Sequence, residues 1–407
     1  MTSRDRFGHN DTSRWEIPPD KEARPLDEKQ LLMIPGPTAV PQSILLAGAG
    51  PMINHRGPEF KAALDECTEG LKRVFQTSHE TYILTASGTG GLEAAVVNML
   101  SPGDHVLSVS IGVFGDRFAD IAETYGAKVE KMDFEMGLAA DPEMIRKRLA
   151  EDAGKEIKAV LVTQNETSTG VTNDMAAIGP IVREHGALLL VDGISSLVAM
   201  DCQMDAWNID VLVAGSQKAF MIPPGLCFIA VNERAQAAVK KARMPRFYFD
   251  LTKAKSYLEQ GQTPWTPAVP QVFQLRAALK LLEKEGLQAC FARHARLAQA
   301  IREGVKALGL KLLADESCAS NAVTSVRKPE GVSVADLRKH MLQKYGVVLA
   351  GGQRSLKDAI FRIGHLGYVG EADIIATLGL LGLGLKDLGV KVDPTAGVGA
   401  AVSSLGD

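Results

Sequence analysis

Between residues 81 and 231 short apolar runs alternate with longer segments of helical spacing. The runs 81–87, 105–110, 127–134, 157–163, 187–192, 210–215 and 226–231 are rich in Val, Leu and Ile and read as strands. The segments 89–100, 114–126, 141–152 and 174–185 read as helices. Asp141 and Pro142 mark one helix start, an N-cap followed by proline at the first helical position. Strands without in–out alternation are buried on both faces. Repeated strand–helix units of this kind predict an α/β fold, a mostly parallel central sheet covered by helices. Such sheets bind ligands at the carboxyl ends of their strands. From about residue 286 the pattern changes to a long helix (291–308) followed by mixed short strands and helices up to about 367. The predicted division is a large domain at 31–285 and a smaller α+β C-terminal domain at 286–392. The ends, 1–30 and 393–407, are expected to be flexible, the second for its Gly, Ala and Ser content.

A chain of 407 residues exceeds what one hydrophobic core usually fills, which supports two domains. Hydrophobic residues make up 46%, enough for a sizeable core, and the net charge is only −3. No basic stripe points to nucleic acid, and no apolar run approaches the ~20 residues of a membrane span. The five cysteines (67, 202, 227, 290 and 318) form no CxxC pair, so a disulfide framework or a zinc or iron–sulfur site does not fit. A reducing compartment, the cytoplasm, is the expectation. Seven acidic residues within 1–30 argue against a transit peptide.

Four features stand where ligands bind such a sheet. "SGTGG" (87–91) joins a strand to a helix, and small residues there let N–H groups and hydroxyls approach an anion. It has neither GxGxxG nor GK[ST] spacing, so a single phosphate suits it better than a dinucleotide. Asp192 ends "LLLVD", and Lys218 follows the next strand in "VLVAGSQKAF". A desolvated lysine has a lowered pKa and becomes a nucleophile able to form a Schiff base. Arg362 stands inside the apolar "AIFRIGHLG" and is a natural bidentate partner for a carboxylate. Singly, each has a plainer explanation: an ordinary turn, a helix cap, a salt bridge between Asp192 and Lys218, a strand-edge arginine facing water. Together they match the parts of a pyridoxal 5′-phosphate (PLP) site, in which an acid keeps the ring nitrogen protonated and the ring serves as an electron sink.

The stretches "MIPGPT" (33–38), "SGTGGLEAAVVNMLSPGD" (87–104), "NETSTGV" (165–171), "VDGISSL" (191–197), "GSQKAFMIPPG" (215–225) and "FRIGHLG" (361–367) carry a further signal. In them the chain resembles the class V, fold-type I aminotransferases, above all the alanine–glyoxylate and serine–glyoxylate group. It is also similar to cyanobacterial members once labelled as a soluble-hydrogenase subunit. The resemblance implies a PLP enzyme that transfers the amino group of alanine or serine to glyoxylate, working as a homodimer with its sites at the interface. It implies that Lys218 is the Schiff-base lysine and Asp192 the partner of the pyridine nitrogen. By the same match Ser87, Gly88, Thr89 and Gln217 face the phosphate, Thr167 the ring hydroxyl, and Phe114 and Ile194 the two ring faces. Thr266 is given to the neighbouring subunit's phosphate. Arg362 and Gly36 face the substrate. Phe114 stands where many relatives have tryptophan, and Thr89 agrees with the serine-using branch. Two alternatives stay open: another donor, ureidoglycine or an aminophosphonate, or a non-catalytic hydrogenase-associated subunit. His55 and Arg56 in "INHRGPEF" receive no role.

Overall fold

The computed structural model describes residues 30–406, and the expectation for the N-terminal arm lies outside the described residues. The large sheet has seven strands in the spatial order Glu80–Thr85, Leu226–Val231, Val211–Gly215, Leu188–Asp192, Ile157–Thr163, His105–Ser110 and Lys128–Asp133. Leu226–Val231 runs antiparallel to both its neighbours, and the remaining pairings are parallel. The sheet is buried on both faces, which explains the continuous apolar runs. Val160, Val162, Leu212 and Ala214 point into one core cluster, while Ala159, Leu161, Val211 and Val213 point into the other. The two sets alternate along each strand, as the pleat requires. Helices Gly88–Met99, Val113–Thr124 and Met175–His185 cover the faces. The helix Pro142–Glu151 begins with the Asp141 carboxylate accepting the Glu143 N–H at 2.9 Å, the cap expected from the sequence.

The C-terminal unit holds a four-stranded sheet ordered Leu31–Met33, Val347–Gly351, Ile360–Gly364, Val323–Arg327. Residues 31–33 therefore do not begin the large domain, as the sequence reading placed them. Leu31 pairs in parallel with Val347, and Met33 is buried with Phe361 and Leu297. A pairing across more than 300 residues leaves no trace in local spacing. The long helix Leu287–Ala307 starts just after Gly286, where the change of pattern falls.

The C-terminal tail also departs from expectation. Residues 396–406 form a helix packed on Leu287–Ala307 and on Glu371–Asp387. Small residues are what bring these helices close. A Cβ on Gly304 would lie 2.9 Å from the Gly397 carbonyl oxygen, and one on Gly397 would lie 3.1 Å from that of Gly304. The glycines that suggest a loose end are thus the contact itself. Gly304→Ala overfills this crossing, and we expect a loss of about 1–3 kcal/mol in urea unfolding. An unchanged midpoint and slope would mean that the tail is not packed there.

Candidate active site

The strands Ile157–Thr163, Leu188–Asp192 and Val211–Gly215 end side by side, and the chain beyond each turns over one cavity of about 110 Å³. Asp192 and Ile194, then Gln217 and Lys218, line it. Ser87, Gly88 and Thr89 enter from the N-terminus of the helix Gly88–Met99. The N-cap Ser87 makes no side-chain capping bond, so the first-turn N–H groups and both nearby hydroxyls keep capacity for an anion. A Cβ on Gly88 would lie 2.6 Å from Ile194 Cδ1, so the cradle approaches this closely only as glycine. Phe114 and Thr167 complete the walls among the residues expected from sequence.

Gly36 sits against the lysine. A Cβ there would lie 2.7 Å from Lys218 Nζ, and its φ of +132° also favours glycine. The neighbouring Pro35 carbonyl accepts a hydrogen bond from Lys218 Nζ. Arg362, 6% exposed, donates from Nε to the Gly351 carbonyl at 2.8 Å and from Nη1 to the Thr167 carbonyl at 2.8 Å. Two of its five N–H donors are thereby fixed by backbone, which sets the plane of the fork and leaves three donors for other partners. Thr266 stands exposed and outside this cavity, on a segment anchored by Arg56. Arg56 donates to Gln262 Oε1 at 2.8 Å and to the Thr263 carbonyl at 2.7 Å.

Electrostatics follow from burial. Desolvation pulls the Lys218 ammonium down to about 8, with Asp192 opposing and Arg362 and Arg117 assisting. Desolvation pushes Asp192 up to about 7, and the Glu166 charge adds to this against the Ile194 N–H and Lys218. Asp192 Oδ1 accepts the Ile194 N–H at 2.9 Å, while Oδ2 has only a long contact of 3.5 Å from the Thr163 hydroxyl. Its second oxygen therefore has room for a cationic donor. Burial also draws the Arg362 guanidinium down to about 10.

Arg117 and the Asn165–Ser195 pair line the same cavity and were not singled out from the sequence. Arg117 follows Phe114 by three residues on one helix, a spacing that puts the two on one face. Its guanidinium carbon lies 4.8 Å from the Phe114 ring centroid. Helical spacing within "GVFGDR" was the available signal. Asn165 and Ser195 bind each other reciprocally, Nδ2 to Oγ at 2.9 Å and Oγ to the Asn165 carbonyl at 2.8 Å. That link joins two strand ends 30 residues apart, with no local signature.

The family model described as aminotransferase class-V matches residues 42–369. The chain is 45% identical over 378 residues to a Synechococcus protein named soluble hydrogenase, small subunit, covering 92% of this chain and 98% of the relative. It is 38% identical to the serine–glyoxylate aminotransferase of Methylorubrum extorquens, covering 92% and 95%. Among solved structures, ureidoglycine–glyoxylate aminotransferase from Bacillus subtilis superposes with a TM-score of 0.88 at 30% identity, covering 93% of this chain and 98% of that one.

Proposed function

Because the chain belongs to the class-V aminotransferase family, we propose that its cavity binds PLP and that it moves the amino group of a small amino acid, alanine or serine, to glyoxylate. One observation carries the cofactor assignment. A single cavity holds a lysine drawn down to about 8 beside an aspartate pushed up to about 7, at the edge of a helix N-terminus left open for an anion.

The residues present fit the group. Ser87, Gly88 and Thr89 would hold the phosphate, with Gln217 beside them. The amide oxygen of Gln217 is buried with no hydrogen-bond partner and could only accept, so it is the amide N–H groups that would face the phosphate. Asp192 would face the pyridine nitrogen, Thr167 the ring hydroxyl, and Phe114 and Ile194 the ring faces. Lys218 would hold the aldehyde carbon. Bound there, PLP supplies an electron sink for the charge released at the substrate Cα. Asp192 would keep the proton on the ring nitrogen. Lys218 Nζ, freed as a neutral amine once the substrate amine replaces it, would take the proton from the substrate Cα and deliver it to the former aldehyde carbon, a task suited to a pKa near the working pH. Arg362 holds the substrate carboxylate. By the resemblance to its relatives, a homodimer would bring Thr266, which stands outside this chain's own cavity, to the partner's phosphate site. The five free cysteines, four of them buried, support a cytoplasmic setting. No helix among the described residues is long and apolar enough to cross a membrane.

The relatives named for serine and ureidoglycine share glyoxylate in their names, which supports glyoxylate as acceptor here. The donor is tested by a panel of alanine, serine, ureidoglycine and an aminophosphonate against glyoxylate. Glycine formation fastest with alanine or serine supports the proposal, and preference for either of the others overturns the donor assignment.

Arg362→Lys keeps a charge but loses the fork and its two backbone anchors. We expect kcat/KM to fall for donor and glyoxylate alike, by a common factor of about 10–1000, since hydrogen bonds to charged groups contribute ~1.5–3 kcal/mol each. A defect confined to one substrate would show that the two carboxylates are held by different residues.

The lysine also sets a pH dependence. Only the neutral amine captures an aldehyde, so below its pKa the reactive fraction falls about tenfold per pH unit. With Lys218 at about 8, the rate of covalent PLP uptake should rise with pH and level off above about 8. Mixing apo-protein with PLP and following the visible band measures this. A rate still climbing at pH 10 would mean an ordinary, solvated lysine.

A further inference from the structure

A buried carboxylate without an assigned part lies against the cavity wall. Glu166 is 0% exposed and belongs to the short strand Asn165–Glu166. Its Oε2 accepts the backbone N–H of Phe114 at 2.9 Å and of Gly115 at 3.1 Å. Its Oε1 accepts the Ser168 N–H at 3.0 Å and the Ser168 hydroxyl at 2.6 Å. Ser168 Oγ in turn accepts the Val113 N–H at 3.0 Å. The helix Val113–Thr124 receives no capping bond from its own N-cap, Gly112. Its first N–H groups are met instead by a segment 52 residues away. Gly112 makes the approach feasible, because a Cβ there would lie 2.6 Å from Glu166 Cγ and 2.7 Å from Cδ.

We infer that Glu166 is a positioning residue for the reaction: it locks the helix start that carries Phe114 to the peptide that carries Thr167, and so fixes the ring-stacking wall relative to the arginine that holds the substrate. The link to the arginine is direct, since Arg362 Nη1 donates to the Thr167 carbonyl at 2.8 Å. A buried carboxylate is costly unless its lone pairs are met, and here four donors and a helix N-terminus meet them. An apolar side chain would fill the space with no desolvation cost, but it could not hold two backbone segments in one register. The Glu166 charge also favours the charged form of Arg362. This inference rests on the cavity being the PLP site.

Glu166→Gln tests it. The amide has one acceptor and one donor end, so one of the two donor pairs, the Phe114 and Gly115 N–H groups or the Ser168 N–H and hydroxyl, must face the amide's own N–H. In the apo-protein we expect hydrogen exchange at 113–115 or at 168 to speed up by about 10–100-fold, the loss of a charge-assisted bond. In the loaded enzyme we expect KM for both substrates to rise by a similar factor, with a smaller change in kcat. A purely structural role would lower the melting temperature and the yield but leave KM unchanged. Gly112→Ala displaces the same carboxylate while keeping every charge and every cavity side chain, and it should show the same split in smaller measure. It decides the matter if Glu166→Gln does not fold. Wild-type KM and wild-type exchange in a folded variant overturn the inference. Failure of the unmutated protein to take up PLP overturns the cofactor reading instead, and the apo exchange still reports whether Glu166 locks the wall.

Discussion

Lys218→Ala should abolish turnover while the fold persists. On the proposed reading the side chain serves both as nucleophile and as proton carrier, two tasks that no neighbouring residue combines. Its amine makes one hydrogen bond, to the Pro35 carbonyl, so truncation removes no structural network. Removal of a half-buried ammonium also relieves desolvation, so a large stability loss is not expected. We expect kcat to fall by about 10⁴-fold, the upper range for a positioned acid–base group. PLP should still bind through the cradle at the N-terminus of Gly88–Met99, detectable by its induced circular dichroism. A variant within tenfold of the wild-type rate would remove Lys218 from the mechanism.

Asp192→Asn should act differently. Asparagine keeps an oxygen for the Ile194 N–H, which now reaches Oδ1 at 2.9 Å, so the turn after the strand is preserved. What disappears is the negative charge that, on the proposed reading, would keep a proton on the ring nitrogen. We expect kcat to fall by about 10²–10³-fold at full cofactor occupancy, the scale for losing one preorganised electrostatic contact. A second consequence has a definite sign. Asp192 raises the Lys218 pKa, so its neutralisation should push that value further below about 8. The plateau in the rate of PLP uptake should therefore begin at lower pH than in the wild type. An unchanged kcat and an unmoved plateau in the fully loaded variant would give the aspartate another role.

Sequence reading reached these residues because their positions are local consequences of the sheet. Asp192 ends an apolar strand, Lys218 follows the next one, and the Ser87–Gly91 turn begins a helix. Each is visible as a break in a run. Arg362 stands out as a guanidinium inside an apolar strand, and the resemblance adds Thr167 and Phe114; the structure places these two in the cavity and Arg362 one hydrogen bond from Thr167. What stayed illegible depends on contacts between distant segments. Glu166 lies within "NETSTGV" beside one partner, Ser168, but the partners that give it a role are N–H groups near residue 114, and backbone donors leave no mark in the sequence. The pairing of Leu31 with Val347 is hidden for the same reason. The tail was misread because glycine and alanine signify looseness in a linker and close approach in a helix crossing. Only the neighbour, Gly304 beneath Gly397, tells the two apart.

The central claim is that Lys218 holds PLP in this cavity. Borohydride reduction of the PLP-loaded protein, followed by peptide mass mapping, tests it most directly. The account predicts loss of the visible band and one phosphopyridoxyl group per chain, on the peptide containing Lys218. A modification on another lysine, or none on a protein that nonetheless catalyses amino transfer, would contradict it.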